Sequence, residues 1–237
     1  MNRTVPPPVT RPSLSLLGTE PWRAAYEFAR HKIARKAPVP RGDGHPVIIF
    51  PGLATDGVAV APLRDYCAAL GYSVMDWGRG FNTGPQGDID TWLAELADHV
   101  SSTLLSGHSQ RATLIGWSLG GIYARELGKL MAPRLRQVIT IGTPFNGSPD
   151  QTHAGWLFRL LNGSAPDSDP ALRRRLRTPP PVPTTSIYSR SDGVVAWQSC
   201  CHDRTGAQVS DVEVKGSHMG MGWNPAVLRV VAERLAA

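Results

Sequence analysis

The chain has 237 residues, of which 41% are hydrophobic and 19% charged, and its formal net charge is +6 at pH 7. This length and composition are typical of one globular domain, which argues against a disordered or fibrous chain. The excess of basic residues accompanies no zinc-finger, RNA-recognition or helix-turn-helix pattern, so we interpret it as a solvated basic face and predict no nucleic-acid partner. No apolar run is long enough to predict an integral membrane span.

The cysteines and the N-terminus bear on the cellular compartment. Two of the three cysteines are adjacent, at Cys200 and Cys201, and neighbouring residues rarely form a disulfide without distortion. The N-terminus lacks the apolar segment of an export signal. Both features predict a cytoplasmic protein, and the oligomeric state stays open.

The first 18 residues, 1–18, are rich in proline and predict an extended arm without a core of its own. A helix is predicted from Thr19, which can cap it, with Pro21 in its first turn. Apolar residues at helical spacing share one face of this helix, namely Trp22, Tyr26, Ala29 and Ile33. Residues 19–237 are predicted to form a single domain.

Short apolar runs alternate with helical patterns along this domain. The run 46–50 is continuous and β-branched, which is typical of a strand buried on both faces. Further strands are predicted at 72–77, 112–115, 137–141, 184–188 and 209–214. Because strands and helices alternate without hairpin signals, the sequence predicts an α/β fold with a mostly parallel central sheet flanked by helices. The alternation breaks at 148–183, the candidate inserted cap or lid segment.

The stretch 111–131 predicts a buried strand, a sharp turn and an amphipathic helix, with Ser118 at the corner. Gly116 and Gly120 complete the pattern G-x-S-x-G, in which glycines leave room for a strained strand-to-helix turn. The first amides of a helix have no partner within it, so they face any negative charge that develops beside the serine. The pattern therefore predicts a nucleophilic serine at a helix N-terminus.

A serine nucleophile needs a histidine base, and the histidine needs a carboxylate that fixes its tautomer. Such groups collect at the carboxyl ends of strands in open α/β sheets. Asp192 and His218 each follow a predicted strand, and we predict them as the acid and the base. His202 is the main alternative base, while Asp203 and Asp211 are weaker alternatives for the acid.

The chain order Ser118, Asp192, His218 is the order found in α/β-hydrolases. With GWSLGG, SRSDGVV and GSHMGMGWNP around these three residues, the sequence resembles that superfamily from about His45 to the C-terminus, and specifically its bacterial esterase/lipase-like branch. The resemblance implies the α/β-hydrolase fold with a small inserted cap or lid segment.

The same resemblance implies an oxyanion hole formed by the backbone amides of Leu53 and Leu119. The loop before Leu53 reads Pro51-Gly52 where the superfamily commonly has His-Gly. Proline cannot donate the hydrogen bonds that histidine makes, so this loop departs from the superfamily pattern at the second oxyanion donor. Pro-Gly also occurs in some lipase-like and acyltransferase-like relatives, which leaves acyl transfer open.

Substrate selection is predicted to depend on the inserted segment and on the loop 81–84. The candidate substrate contacts are apolar residues in these regions and near the serine, namely Phe81, Trp117, Phe145, Trp156 and Phe158. An apolar cluster over the serine would bind an acyl chain and exclude water. For the aromatic residues of the insertion, anchoring it to the core is an equally good alternative.

Together these features predict a serine carboxylic-ester hydrolase that acts on a small-molecule ester or lipid through an acyl-enzyme. This chemistry requires no cofactor and no metal. Acyl transfer by the same three residues is one alternative, and a non-catalytic hydrolase-like binding protein is another. The acyl chain length and the alcohol group of the substrate stay open.

Overall fold

The structure is a computed structural model that describes residues 9–33, 38–146 and 170–237. Its strands are β1 (Pro46–Phe50), β2 (Ser73–Asp76), β3 (Ala112–Trp117), β4 (Leu135–Ile141), β5 (Thr184–Tyr188) and β6 (Val209–Glu213). Its helices are α1 (Leu14–Ile33), α2 (Ala61–Leu70), α3 (Ile89–His99), α4 (Leu119–Leu130), α5 (Pro170–Arg177) and α6 (Pro225–Leu235). Within the described ranges, none of the helices has the length and apolar character needed to span a bilayer.

The described strands form one sheet in the order β2-β1-β3-β4-β5-β6, and every neighbouring pair is parallel. The prediction of a mostly parallel sheet is therefore confirmed. Parallel strands need crossover connections, and helices lie on both faces of the sheet as a result. The carboxyl ends of the strands meet along one edge, where the loops carry the predicted site.

The central strands are buried on both faces, as the continuous apolar run of β1 predicts. Ile48 and Phe50 of β1 pack into the core on the side of α3, α4 and α5. Val47 and Ile49 point the other way, toward α2 and α6. Full burial of one such side chain contributes about 1.5–3 kcal/mol, so these two cores hold the sheet rigid beneath its loops.

The N-terminal helix starts earlier than predicted. It begins at Leu14, because the Ser13 hydroxyl accepts the amide of Leu16 at 3.3 Å and caps the first turn. Thr19, the predicted cap, lies inside the helix, where its hydroxyl donates to a carbonyl one turn earlier. The predicted extended arm 1–18 is therefore wrong from Leu14 onward.

The face that α1 buries also differs from its apolar face. Trp22, Tyr26 and Ile33 are exposed by 78%, 65% and 80%. The buried residues are Glu20 and Ala24 instead. This inversion arises because the carboxylate face of α1 bonds to main-chain amides of two loops near the predicted site, as described below.

Part of the predicted insertion 148–183 belongs to the body of the domain. Helix α5 packs on α4 through the buried Leu176. The Arg175 side chain donates from Nε to Glu126 of α4 at 2.6 Å. Residues 148–169 of the insertion, including the candidate contacts Trp156 and Phe158, lie outside the described residues.

Candidate active site

Ser118 occupies the turn between β3 and α4 in a backbone conformation that L-residues rarely adopt, with φ 53° and ψ −119°. The flanking glycines make this turn possible. A Cβ at Gly116 would lie 2.2 Å from the Gly120 carbonyl oxygen, and one at Gly120 would lie 2.3 Å from the Phe50 carbonyl oxygen. The predicted sharp strand-to-helix turn is therefore present, with the serine at its apex.

The structure brings the three predicted reactive side chains together. His218 Nε2 lies 3.1 Å from the Ser118 hydroxyl oxygen, and its Nδ1 lies 2.7 Å from Oδ2 of Asp192. All three residues are buried. Since a carboxylate only accepts hydrogen bonds, Nδ1 carries the proton and Nε2 is free to accept the serine proton. The geometry is that of a serine paired with an oriented general base.

Asp192 lies in the acid loop, residues 189–196, which follows β5. Its second oxygen, Oδ1, accepts the amides of Val194 at 2.8 Å and Val195 at 2.7 Å. These two bonds fix the carboxylate in one rotamer, so that Oδ2 faces His218. The turn of this loop thereby determines where the Asp192 carboxylate points.

His218 lies in the base loop, residues 215–224, which joins β6 to α6. The indole Nε1 of Trp117 donates to the His218 carbonyl at 3.2 Å, and the amide of His218 donates to Glu20 at 3.0 Å. The first turn of α6 anchors the far end of the loop, where Asn224 caps the helix and also donates to the Lys215 carbonyl at 3.1 Å. Side chains thus hold the main chain of the base loop at His218 itself and near both of its ends.

The charge around His218 favours its protonated form. Burial lowers the pKa of the imidazole, but the carboxylates of Asp192 and Glu20 raise it, and the net result is a pKa above the ordinary value of 6.5. An imidazole with a raised pKa is a stronger base when neutral. This environment suits a group that removes a proton from a hydroxyl.

The two predicted oxyanion amides belong to segments on either side of Ser118. Leu119 is the first residue of α4 and directly follows the serine. Leu53 follows Gly52, and a Cβ at Gly52 would lie 3.4 Å from the Ser118 Cβ, so this loop packs against the serine. Donation from these two amides to an oxyanion stays a prediction.

Asn82 braces the loop that contains Leu53, and the sequence did not single it out for this role. Its side chain is fully buried and donates to the Pro51 carbonyl at 2.9 Å. Its own backbone carbonyl accepts the amide of Ala54 at 2.8 Å, and Ala54 has a positive φ of 56°. The signal in the sequence was an asparagine in a glycine- and proline-rich loop, which fits many roles.

The predicted substrate contacts lie in different environments. Phe81 is 58% exposed and lines a cavity of about 300 Å³ together with Trp77 and Trp92. Trp117 is 7% exposed and packs against the ring of His218, so its side chain supports the base loop.

Phe145 is 2% exposed and lies 3.7 Å from the Arg125 guanidinium and 4.5 Å from the His202 ring. These neighbours enclose its side chain, which leaves little surface for a substrate. Of the aromatic candidates within the described residues, Phe81 alone has a largely exposed ring.

The alternative base His202 has a different set of partners. Its Nδ1 lies 2.6 Å from Asp211, and its Nε2 lies 2.8 Å from Nη1 of Arg125. Asp203, an alternative acid, accepts a hydrogen bond from Asn146 at 2.9 Å. Both ring nitrogens of His202 are engaged with charged side chains, so this histidine does not face a serine. Among the described residues, no three His, Cys, Asp or Glu side chains are grouped as metal ligands would be.

Solved structures with this architecture share the fold of the chain. A lipase-esterase related protein from Clostridium acetobutylicum ATCC 824 is 14% identical, with a TM-score of 0.56 over 84% of this chain and 96% of that chain. Alpha/beta hydrolase domain-containing protein 10 from mouse is 15% identical, with a TM-score of 0.56 over 84% and 91%. A pyrethroid hydrolase from Sphingobium faniae JZ-2 is 17% identical, with a TM-score of 0.56 over 81% and 98%.

No protein-family model and no curated protein matches the chain. The structural likenesses establish the class of fold: the chain has the α/β-hydrolase fold.

Proposed function

We propose that the chain is a serine hydrolase that cleaves carboxylic esters of small molecules or lipids. The observation that carries this proposal is the continuous path of hydrogen bonds from Ser118 Oγ to His218 at 3.1 Å and on to Asp192 at 2.7 Å. The path begins at a strained turn before a helix N-terminus, which is where the G-x-S-x-G pattern places a nucleophilic serine. The printed names of structural neighbours, a lipase-esterase related protein and a pyrethroid hydrolase, support the same class of reaction.

In the first half of the reaction, Ser118 Oγ attacks the carbonyl carbon of the ester while His218 Nε2 takes the hydroxyl proton. The electrons of the carbonyl double bond move to its oxygen. When they return, the bond to the alcohol oxygen breaks, and His218 gives its proton to the departing alkoxide. The acyl group stays on Ser118.

In the second half, a water molecule attacks the acyl-enzyme and His218 takes its proton. The bond between the acyl carbon and Ser118 Oγ breaks, and the serine oxygen recovers the proton from His218. Asp192 keeps the imidazole oriented and stabilises its charged form through both halves. The amides of Leu53 and Leu119 hold the negative oxygen, and each such donor is worth about 3 kcal/mol in related chemistry.

The test is hydrolysis of p-nitrophenyl esters from acetate to long acyl chains by the wild type and by Ser118→Ala. We expect the substitution to lower kcat by about 10⁴-fold or more, because removing a nucleophile leaves only the contribution of binding and the oxyanion hole. Ser102→Ala is the matched control, since Ser102 is an exposed serine just after α3 whose hydroxyl donates to the Asp98 carbonyl.

The chain-length series also identifies the substrate class. A preference for long chains would indicate a lipid substrate, and a preference for acetate or butyrate a small ester. Near-wild-type hydrolysis by a folded Ser118→Ala protein would refute the proposed mechanism.

A further inference from the structure

One carboxylate of α1 lies against both loops that carry the proposed acid and base. Glu20 is 2% exposed, and its Oε1 accepts the amides of Gly193 at 2.8 Å and His218 at 3.0 Å. Its Oε2 accepts the amide of Met219 at 3.0 Å. Because Gly193 directly follows Asp192, a single side chain connects the backbone of the acid loop to the backbone of the base itself.

We propose that Glu20 is a positioning residue for ester hydrolysis, fixing the acid loop and the base loop relative to each other. The inference rests on the proposed function, because it assumes that Asp192 and His218 act as a pair. Hydrogen bonding between a histidine and a carboxylate weakens steeply when distance or angle departs from the optimum. A group that ties the two backbones together therefore preserves the alignment on which the base depends.

Arg23 completes the connection on the other side of Asp192. Its Nη2 donates to Oε1 of Glu20 at 2.7 Å, and its Nη1 donates to the carbonyl of Ser191. The main chain is thus held immediately before Asp192 by Arg23 and immediately after it by Glu20. A buried carboxylate is unfavourable unless hydrogen bonds and an opposite charge compensate it, and Glu20 has three amides and a guanidinium.

Simple docking of α1 onto the domain does not account for these contacts. Glu27, two turns further along α1, accepts the amide of Ser217 at 2.8 Å, and Trp223 donates its indole proton to the Ala24 carbonyl at 3.0 Å. Both contacts attach the helix to the base loop, but neither extends to the acid loop. Glu20 differs because it bonds to both loops.

Glu20 also acts through its charge. The charged groups that face His218 are Asp192 from the acid loop and Glu20 from α1. On the same helix, Arg23 pairs with Glu20, and Glu27 bonds to Ser217 two turns further along. Ser118, in the turn between β3 and α4, also faces His218 but is uncharged. Burial lowers the pKa of His218, but the two carboxylates raise it by more than burial lowers it. Removing one negative charge should therefore move the pKa of His218 downward.

The experiment compares Glu20→Gln with the wild type in full pH profiles of kcat and kcat/KM on a p-nitrophenyl ester. Glutamine keeps the shape of the side chain and one acceptor oxygen, but it loses the charge and one acceptor position. We expect kcat to fall about 10–100-fold, by analogy with residues that orient metal ligands through hydrogen bonds, while KM changes little. We also expect the acidic limb of the profile to move to lower pH.

Trp223→Phe is the matched control, because it removes a hydrogen bond between α1 and the base loop without altering charge. It should keep the wild-type acidic limb and a near-wild-type kcat. A folded Glu20→Gln enzyme with the wild-type kcat and limb would overturn the positioning role. The positioning role is also overturned if Trp223→Phe reproduces the whole Glu20→Gln effect. Attachment of α1 to the base loop would then explain the loss without the bond between Glu20 and the acid loop.

Two further variants keep the result interpretable. If Glu20→Gln does not fold, Arg23→Gln tests the same arrangement: it removes the positive charge that pairs with Glu20, so the acidic limb should move to higher pH as kcat falls. An unchanged profile in Arg23→Gln would equally reject the role of Glu20. Ser118→Ala separates the two proposals, since activity in that variant refutes the proposed function, whereas a normal Glu20→Gln enzyme refutes only the positioning role.

Discussion

Three histidine–aspartate pairs occur in the described part of the molecule, and two of them, His218–Asp192 and His202–Asp211, have nearly identical first contacts. His218 Nδ1 lies 2.7 Å from Asp192, and His202 Nδ1 lies 2.6 Å from Asp211. In each pair the carboxylate fixes the tautomer, so the proton resides on Nδ1 and the lone pair on Nε2. The two pairs differ in what that lone pair faces.

Nε2 of His218 faces the hydroxyl of Ser118 at 3.1 Å, whereas Nε2 of His202 faces the guanidinium of Arg125 at 2.8 Å. A guanidinium donates hydrogen bonds and never accepts them, so the lone pair of His202 is already occupied. The lone pair of His218 instead meets a group that has a proton to give. The same residue pair thus forms a structural contact in one place and a proposed general base in the other.

The surrounding charges reinforce this difference. Burial disfavours the charged form of both imidazoles. For His218 the carboxylates of Asp192 and Glu20 outweigh burial and raise the pKa above its ordinary value. For His202 burial, with the positive charge of Arg125, outweighs the carboxylate of Asp211 and lowers the pKa. A histidine–aspartate contact alone is therefore insufficient to identify a base.

The largest expected contrast is in turnover. His218→Ala should lower kcat by about 10⁴-fold or more, because the serine loses the group that removes its proton. His202→Ala should leave turnover near the wild-type value, because His202 takes no part in the proposed proton transfers. Steady-state hydrolysis of one p-nitrophenyl ester by both variants measures the contrast. Comparable losses of kcat in two folded variants would contradict the assignment of the base.

A second contrast is expected in stability, where His202→Ala should have the larger effect. His202→Ala removes one partner from the buried Arg125 and one from the partly buried Asp211, and we expect it to lower the free energy of unfolding by about 2 kcal/mol. Urea unfolding followed by circular dichroism gives this value. A fall in turnover for His202→Ala that its stability does not explain would mean that this pair also serves the reaction.

The smallest expected effect is in the pH dependence. His218 must be neutral to accept a proton, so activity is present above its pKa and is lost as pH falls through that value. Because the pKa of His218 is raised, the acidic limb of kcat/KM should lie above 6.5. His202, whose pKa is lowered, stays neutral through this range. An acidic limb below 6.5 would indicate that the charges around His218 do not act as described.

The sequence predicted the sheet and the serine turn because their signals are local. The run in β1 is buried on both faces, and Gly116 and Gly120 are required by close backbone approach around Ser118. Asp192 and His218 could be placed at strand ends, but spacing alone also allowed His202. Only the three-dimensional contacts distinguish the two histidines.

The inverted face of α1 could not be predicted from helical spacing. Trp22 and Tyr26 are the larger apolar residues, yet Glu20 is buried. Its carboxylate is satisfied by amides of Gly193 and His218, which lie far along the chain. Hydrophobic periodicity assumes that burial favours apolar side chains, and it fails where distant donors compensate a buried charge.

The central claim is that Ser118 is made nucleophilic by His218. Labelling with a fluorophosphonate, followed by intact mass measurement and peptide mapping, tests it directly. We expect one adduct, on Ser118, formed at similar rates in the wild type and in His202→Ala and at a greatly reduced rate in His218→Ala. An adduct on another residue, or wild-type labelling of Ser118 in His218→Ala, would contradict the claim.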